Sequence, residues 1–343
     1  MKRLLTVTLL GVTCILGSVL PALAGSGAGA IVLSFPIGAR YNALGEAGSA
    51  LAQDAAATWF NPGGLAFMGD RRETTDVQLM YSKLAAGLAD DINLSWAGYA
   101  TAVGNNGALG VTFTYLNMGE QLAVDEDNNV IGTFRSYEFV IQGNYALKIS
   151  QNVGLGFGVK YFRDKLADDN VLQDGSGGSG DSFGVDLGVL WKVPAARLNL
   201  AAAVANIGPD IKHVDADQAD PMPRKFTVGL AYGLFSSEYM GLLLLGDYQL
   251  PLYKWDNDKE DYVYGFETSQ EEWGVGAEWN YDRSLFLRFG YKSASYGDIE
   301  DWTFGFGVDL KKWVGQAIIF DFAQVPQAEG LDRVSRFTLG YRW

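Results

Sequence analysis

The chain has 343 residues, with 40 acidic side chains against 26 lysines and arginines, and a formal net charge of −14. This acidic balance argues against a nucleic-acid-binding protein, which needs basic patches. The sequence contains one cysteine and one histidine, so it offers little material for thiol catalysis, a metal centre or a catalytic triad. We therefore expect neither enzymatic activity nor a cofactor.

The first 24 residues have the organisation of a secretory signal peptide. Lys2 and Arg3 precede an apolar stretch over residues 4–20, and Ala-Leu-Ala at 22–24 is a small-residue cleavage site. Cleavage there would remove Cys14 and change the net charge from −14 to −16. No later run reaches the roughly 18 apolar residues of a membrane-spanning helix. The sequence thus predicts an exported protein.

Residues 25–72 lack strand-like alternation and are rich in alanine and glycine. Residues 43–57 have a helix-forming composition, and Asn61-Pro62-Gly63-Gly64 is a turn signal. A free periplasmic tail would expose the large apolar side chains of this segment without reason. These are Leu44, Leu51, Trp59, Phe60, Leu65, Phe67 and Met68. We therefore predict that residues 25–72 form a partly helical plug, or hatch, inside the domain that follows.

Residues 73–343 are dominated by a two-residue alternation of apolar and polar side chains. The candidate strands are 73–83, 92–103, 107–118, 134–148, 151–164, 181–192, 196–207, 223–234, 239–250, 271–281, 284–294, 301–311, 314–323 and 334–343. An even number of alternating segments of about ten residues is the signature of an outer-membrane barrel. The sequence predicts an all-β fold, a transmembrane antiparallel β-barrel of about fourteen strands.

The connections between these strands alternate in length. The tight ones are residues 104–106, 149–150, 193–195, 235–237, 282–283 and 312–313. The longer, mostly acidic ones include residues 119–133, 165–180, 208–222 and 251–270. Short periplasmic turns and long outer loops are typical of bacterial outer-membrane barrels. The pattern therefore predicts location in the outer membrane, with lipid as a neighbour.

The two faces of the predicted strands differ in chemistry. One face is apolar, as in Leu155, Phe157 and Val159, and is expected to contact lipid. The other is small or polar and carries nearly balanced charges. These are Lys148, Lys160, Arg288, Lys292 and Arg342 against Glu138, Asp186, Asp247, Glu278, Asp309 and Asp321. We interpret them as a structural ion-pair network, which is favoured over a selectivity ring.

Three other features resemble functional sites without meeting their requirements. The acidic run at residues 125–129 lacks the glycine and the distal glutamate of a calcium loop. The glycines at 154, 156 and 158 lie within a predicted strand, where no helix follows to bind a dinucleotide. His213 lies in a predicted loop with no nucleophile motif around it. We predict no catalytic residue and no metal site.

The stretch from Ser34 to Phe67 resembles the N-terminal signature of the PorV/PorQ family, within the FadL-like superfamily of outer-membrane barrels. The matching residues are Gly38-Ala39-Arg40, Leu44-Gly45, Ala47-Gly48, Ala50, Asp54-Ala55 and Asn61-Pro62-Gly63-Gly64-Leu65. That superfamily typically has Asn-Pro-Ala in the last motif, where this chain has Gly63.

The resemblance implies two alternative functions. PorV-type members work in type IX secretion and receive exported proteins at the cell surface, so exported proteins or secretion components would be partners. FadL-like members carry hydrophobic small molecules through a plugged barrel, and Leu65, Phe67 and Met68 would then be candidate gate or ligand-contacting residues. A structural or surface barrel without transport is a third interpretation.

The last strand remains patterned to the final residue. Phe337, Leu339, Tyr341 and Trp343 alternate with small or polar residues. Outer-membrane barrels are assembled by a machinery that reads the final strand, which usually ends in an aromatic residue. We therefore interpret these four residues as a C-terminal assembly signal.

Overall fold

The computed structural model describes residues 29–85, 91–124, 130–167, 178–212, 219–256, 261–295, 299–327 and 331–343. The predicted signal peptide, the acidic run at residues 125–129 and His213 lie outside these residues. Among the helices that are described, none is both long and apolar enough to span a membrane.

In the described part of the chain, fourteen antiparallel strands close into a barrel and two more form a separate hairpin. The strands are Thr75–Lys83 (β1), Asn93–Val103 (β2), Gly107–Val124 (β3), Val130–Lys148 (β4), Val153–Lys165 (β5), Ser179–Val193 (β6), Leu198–Ile207 (β7), Lys225–Ser236 (β8), Met240–Pro251 (β9), Tyr253–Asp256 (β10), Asp261–Tyr264 (β11), Glu272–Tyr281 (β12), Leu285–Ala294 (β13), Ile299–Asp309 (β14), Ala317–Val325 (β15) and Val334–Arg342 (β16). β1 pairs with β16, and β9 pairs with β12 across the β10–β11 hairpin. Closure leaves no unpaired sheet edge facing lipid.

The fourteen-strand barrel is confirmed, and three connections differ from the prediction. β3 and β4 extend into the predicted loop at residues 119–133. The alternation did not reveal this extension, because a register shift after Asn117 changes the phase of the pattern. The predicted loop at 251–270 contains the β10–β11 hairpin. The turn predicted at 312–313 is a longer connection that includes the helix Lys311–Val314.

The outward faces of the strands form the predicted apolar belt. Leu155, Phe157 and Val159 are each 44–45% exposed. Rings on neighbouring strands stack along this surface, as with Tyr161 and Phe183 at a centroid separation of 5.2 Å. An apolar, aromatic-rich outer surface matches the hydrocarbon and interfacial zones of a bilayer.

Residues 29–70 lie inside the barrel and run from one rim to the other. At the long-loop rim, Gly29 N donates to Pro221 O at 3.0 Å. At the short-turn rim, Lys148 forms an ion pair with Asp70. By the usual orientation of these barrels, the long-loop rim faces the cell surface and the short-turn rim faces the periplasm.

The plug is only partly helical. Its helical segments are Ile31–Ser34, Ala39–Asn42, Ala57–Phe60 and Pro62–Asp70, of which the first and last are 3-10 helices. The helix-forming composition of residues 43–57 does not produce a helix there, since most of that range forms turns. Gly45 has a left-handed backbone with φ of 72°, and its N–H donates to Thr303 Oγ1 at 2.9 Å. Contacts with the barrel wall therefore replace the hydrogen bonds of a helix.

Candidate functional site

Buried ion pairs line the barrel wall, as the balanced lumenal charges predict. Arg288 bridges two strands, with Nε donating to Glu278 Oε2 and Nη1 donating to Asp321 Oδ1, both at 2.7 Å. Lys160 Nζ lies 2.8 Å from Asp186 Oδ2, and both side chains are almost fully buried. Arg288 and Lys160 are thus neutralised by carboxylates of the wall, as expected for a structural network.

The plug joins this network at several points. Arg40 donates from Nε and Nη2 to the two oxygens of Glu278, at 2.9 and 2.7 Å. Arg342 of the last strand donates to Asp54 of the plug at 3.1 Å and to Asp76 of the first strand at 2.6 Å. Arg40, Asp54 and Asp76 were not predicted as paired residues, although the first two belong to the family signature.

Asp54 is held as a carboxylate in the interior of the plug. Burial alone would raise the pKa of its carboxyl, but the charges of Arg342, Arg71 and Arg40 outweigh burial and hold this pKa below its usual value. The hydroxyl of Tyr41 also donates to Asp54, at 3.0 Å from each oxygen. The plug therefore presents a fixed negative charge to the closing strand.

Replacing Arg40 with methionine should destabilise plug docking by about 1.5–3 kcal/mol, because it removes the charge-assisted hydrogen bonds to Glu278 but leaves Glu278 paired with Arg288. Thermal unfolding of the purified barrel, followed by circular dichroism, measures this effect. Arg135→Met is the matched control, since Arg135 forms a largely exposed pair with Glu120. Equal melting temperatures for the two variants would contradict a stabilising role for Arg40.

Lumenal carboxylates also accept hydrogen bonds from the plug backbone. Asp247 accepts from Gly48 N and Ser49 N at 2.8 Å each, and from Ser49 Oγ at 2.6 Å. Glu138 accepts from Val32 N at 2.7 Å. These acceptors satisfy N–H groups that the irregular plug backbone cannot pair internally.

Asn61 ties the predicted hatch motif to the wall and to the rest of the plug. Its Nδ2 donates to Ser49 O at 3.0 Å and to Val189 O of β6 at 2.9 Å. Its Oδ1 accepts from Gly63 N at 3.0 Å, which begins the following 3-10 helix. The whole motif is buried: Asn61, Pro62, Gly63 and Gly64.

The motif packs against wall glycines that allow backbone-to-backbone contact. A Cβ atom on Gly156 would lie 2.1 Å from the carbonyl carbon of Pro62, and one on Gly188 would lie 2.0 Å from Asn61 Oδ1. A Cβ atom on Gly63 would lie 2.8 Å from Gly188 O, so the wall backbone leaves no room for a side chain at this position. We call Asn61–Gly64 with Gly156 and Gly188 the motif seat.

Leu65, Phe67 and Met68 are fully buried beside the motif seat. Their 3-10 helix contacts β2 to β6. Lys192 Nζ of β6 lies 3.8 Å from the centroid of the Phe67 ring, within cation–π range. The structure brings these three residues together, but they pack into the plug–wall contact.

A cavity in the lumen lies elsewhere. It has a volume of about 410 Å³ and opens between the plug and β8, β9 and β12 to β16 at the short-turn rim. Its lining includes charged groups of the ion-pair network, which are Arg40, Asp54, Arg288, Asp321 and Arg342. None of the predicted gate residues lines it.

The final strand places its four predicted signal residues on the lipid-facing side. Phe337, Leu339, Tyr341 and Trp343 are all exposed. Trp343 exchanges two main-chain hydrogen bonds of 3.1 Å with Thr75 of β1, and its ring stacks on Tyr341 at 5.3 Å. The last residue thus takes part in barrel closure.

The fold is a closed antiparallel barrel with an apolar belt, short turns at one rim and a plug in its lumen. These features define an outer-membrane protein. The sequence matches the family described as Type IX secretion system protein PorV over residues 27–244. The chain therefore belongs to the PorV family and is a Gram-negative outer-membrane barrel. No curated protein sequence matches it significantly.

Solved structures with the same fold include three FadL-like barrels. The toluene transporter TbuX of Ralstonia pickettii aligns with a TM-score of 0.59 at 14% identity, over 90% of this chain and 98% of its own. The toluene transporter TodX of Pseudomonas putida aligns with a TM-score of 0.57 at 15% identity, over 90% of this chain and 98% of its own. A FadL homologue of Pseudomonas aeruginosa aligns with a TM-score of 0.53 at 12% identity, over 88% of this chain and 96% of its own. These likenesses establish the fold.

Proposed function

We propose that this barrel is a surface component of protein export of the type IX kind, and that it acts through its rims with its lumen closed. The anchored plug carries this proposal. Ion pairs at Arg40 and Arg342 and the motif seat fix the plug to several parts of the wall. A polypeptide could not pass through a lumen filled in this way, so exported proteins would be received at the outer rim.

Energetics support a plug that stays in place. Undocking the plug would separate Arg40 from Glu278 and Asp54 from Arg342 together. It would also expose the buried Leu65, which packs beside the motif. A partner would have to provide comparable contacts to keep the plug displaced.

Uptake of hydrophobic small molecules is the second candidate. The similarity of the fold to the toluene transporters TbuX and TodX favours it. Leu65, Phe67 and Met68 remain the proposed gate on that interpretation. The charged lining of the 410 Å³ cavity weighs against it, because an apolar solute would strip water from groups such as Arg40 and Asp321.

Deletion of the gene tests the export proposal. We expect surface proteins to be lost from intact cells, as measured by protease shaving and mass spectrometry, and to accumulate in the periplasmic fraction. Re-expression of the wild-type chain should restore them, and export-machinery proteins should co-purify with it. Unchanged surface and periplasmic fractions would contradict the proposal.

The same strains test uptake. On the export proposal, deletion leaves the uptake rate of radiolabelled toluene and long-chain fatty acid unchanged, and Phe67→Ala restores surface proteins as well as the wild type does. A fall in uptake with normal surface proteins would support the transport candidate. If neither assay responds to deletion, the structural-barrel interpretation replaces both.

A further inference from the structure

β3 and β4 continue beyond their neighbours β2 and β5 as a two-stranded ribbon, which we define as residues 118–124 and 130–136. The rings of Tyr115 and Tyr137 stack at a centroid separation of 5.7 Å at its base, as aromatic side chains do at the membrane interface. Beyond them, Glu120 and Arg135 lie opposite each other, and both are exposed. The ribbon therefore projects into water from the rim that faces the cell surface.

Both edges of the ribbon lack a neighbouring strand among the described residues. The pairing of β2 with β3 ends at Asn117, and the pairing of β5 with β4 ends at Tyr137. An unpaired strand edge presents main-chain N–H and C=O groups that can pair with another chain. In water these groups are hydrated, so an incoming strand has to replace only water.

One hydrogen bond fixes which main-chain groups face outward. Glu120 N donates to Asp91 Oδ2 at 2.8 Å, on the β2 side of the ribbon. In an antiparallel pair, residues opposite each other point their main-chain groups either at each other or away. Arg135, which is opposite Glu120, therefore directs its N–H and C=O away from β3. Thr133, two residues along β4, does the same.

The two edges differ in how they are capped. On the β3 edge, Asp91 accepts from Glu120 N through its side chain and from Asn117 Nδ2 through its main-chain oxygen, at 2.7 Å. A charged side chain at an edge is a common device against strand addition. On the β4 edge, no described residue binds the main-chain groups that Thr133 and Arg135 direct outward. The β4 edge is thus the open one.

The geometry of this edge fits an extended polypeptide. Thr133 and Arg135 together offer two N–H and two C=O groups at the spacing of a strand. An added strand matches such a row, because its alternate residues present the complementary groups. It would lie in line with β5, beyond the end of that strand at Lys165.

We propose that the β4 edge of the ribbon adds a strand from an exported protein that is still extended when it reaches the cell surface. The main-chain groups of Thr133 and Arg135 pair with alternate residues of that strand. This inference rests on the export role and deepens it, since it names the surface that receives the protein and the conformation in which the protein is received.

Hydrogen exchange tests whether the edge is open. In the purified full-length barrel in detergent, the amides of Thr133 and Arg135 should exchange at least about tenfold faster than the amide of Phe134, which faces β3. Equal protection of all three amides would overturn the proposal, because it would show that the edge is already occupied.

Proline substitution tests whether the edge binds exported protein. Thr133→Pro removes an edge N–H that forms no bond with β3, and proline is tolerated at such positions. Leu122→Pro is the matched control, since Leu122 lies opposite Thr133 and its N–H faces the other edge. The probe is the most abundant surface protein that the deletion strain fails to display.

Photo-cross-linking in cells measures the contact. A photoreactive amino acid in place of Leu166, which is exposed beside the edge, should form an adduct with the probe protein. Thr133→Pro should lower the adduct yield about fivefold, the change expected from one hydrogen bond of roughly 1 kcal/mol. Leu122→Pro should leave it unchanged. Heat-modifiable mobility gives the amount of folded barrel to which each yield is normalised.

The outcomes separate this inference from the export role. Equal adduct yields in the two proline variants would overturn strand addition at β4 and leave the export role intact. If deletion of the gene leaves every surface protein displayed, the export role and this inference fall together. The exchange measurement needs no variant, so misfolding of Thr133→Pro cannot shield the proposal.

Discussion

Replacing Gly156 with valine is expected to unseat the plug while the barrel remains closed. The added Cβ would lie 2.1 Å from the carbonyl carbon of Pro62 and 2.4 Å from Gly63 N. Backbone atoms cannot rotate away as a side chain can, so the cost should reach the upper end of the usual range for overpacking, about 3 kcal/mol. A shift of that size changes the docked-to-undocked ratio about a hundredfold.

Maleimide labelling of a buried plug position can measure this change. Ser49→Cys is suitable because Ser49 is fully buried in the docked plug, and the only native cysteine, Cys14, lies in the predicted signal peptide. Labelling should accelerate strongly when Gly156→Val is added. Gly143→Val is the matched control, since a Cβ at Gly143 meets nothing within 4 Å. Equal labelling rates in the two double variants would show that the motif seat does not anchor the plug.

Deletion of Trp343 should cut the amount of folded barrel in the outer membrane. The deletion removes two main-chain hydrogen bonds to Thr75, each worth about 1 kcal/mol. It also removes the ring contact with Tyr341, worth about 1 kcal/mol more. Closure between the first and last strands is weakened, and on our interpretation the assembly machinery loses its recognition residue.

Heat-modifiable mobility of the barrel in outer-membrane fractions reports this outcome. Trp343→Phe should restore most of the folded protein, because it keeps both the main-chain contacts and an aromatic ring. Trp313→Ala, at an exposed position in the Lys311–Val314 helix, should behave as the wild type. A normal amount of heat-modifiable barrel after the deletion would refute the role assigned to Trp343.

The barrel could be predicted from the sequence because its pattern is local. Each strand must present apolar side chains to lipid at every second position, so alternation reveals both its existence and its orientation. The pattern fails where that constraint ends. β3 continues past Asn117 through a register shift at the long-loop rim, and the phase of the alternation is lost with it.

The plug could be predicted as a segment, but its path could not. Alanine-rich residues 43–57 favour a helix by intrinsic propensity, yet Thr303 and Asp247 bind the backbone of Gly45 and Ser49 and hold it in turns. These partners lie about 200 or more positions away in the chain. The resemblance to FadL-like barrels likewise made Phe67 a candidate gate residue without indicating that it packs beneath Lys192.

The clasp formed by Asp54, Arg342 and Asp76 has a consequence for biogenesis. It joins the plug, the first strand and the last strand through the guanidinium of Arg342. A barrel that closed before the plug entered would leave Arg342 paired with Asp76 but without Asp54. We therefore expect insertion of the plug and closure of the barrel to be coupled steps.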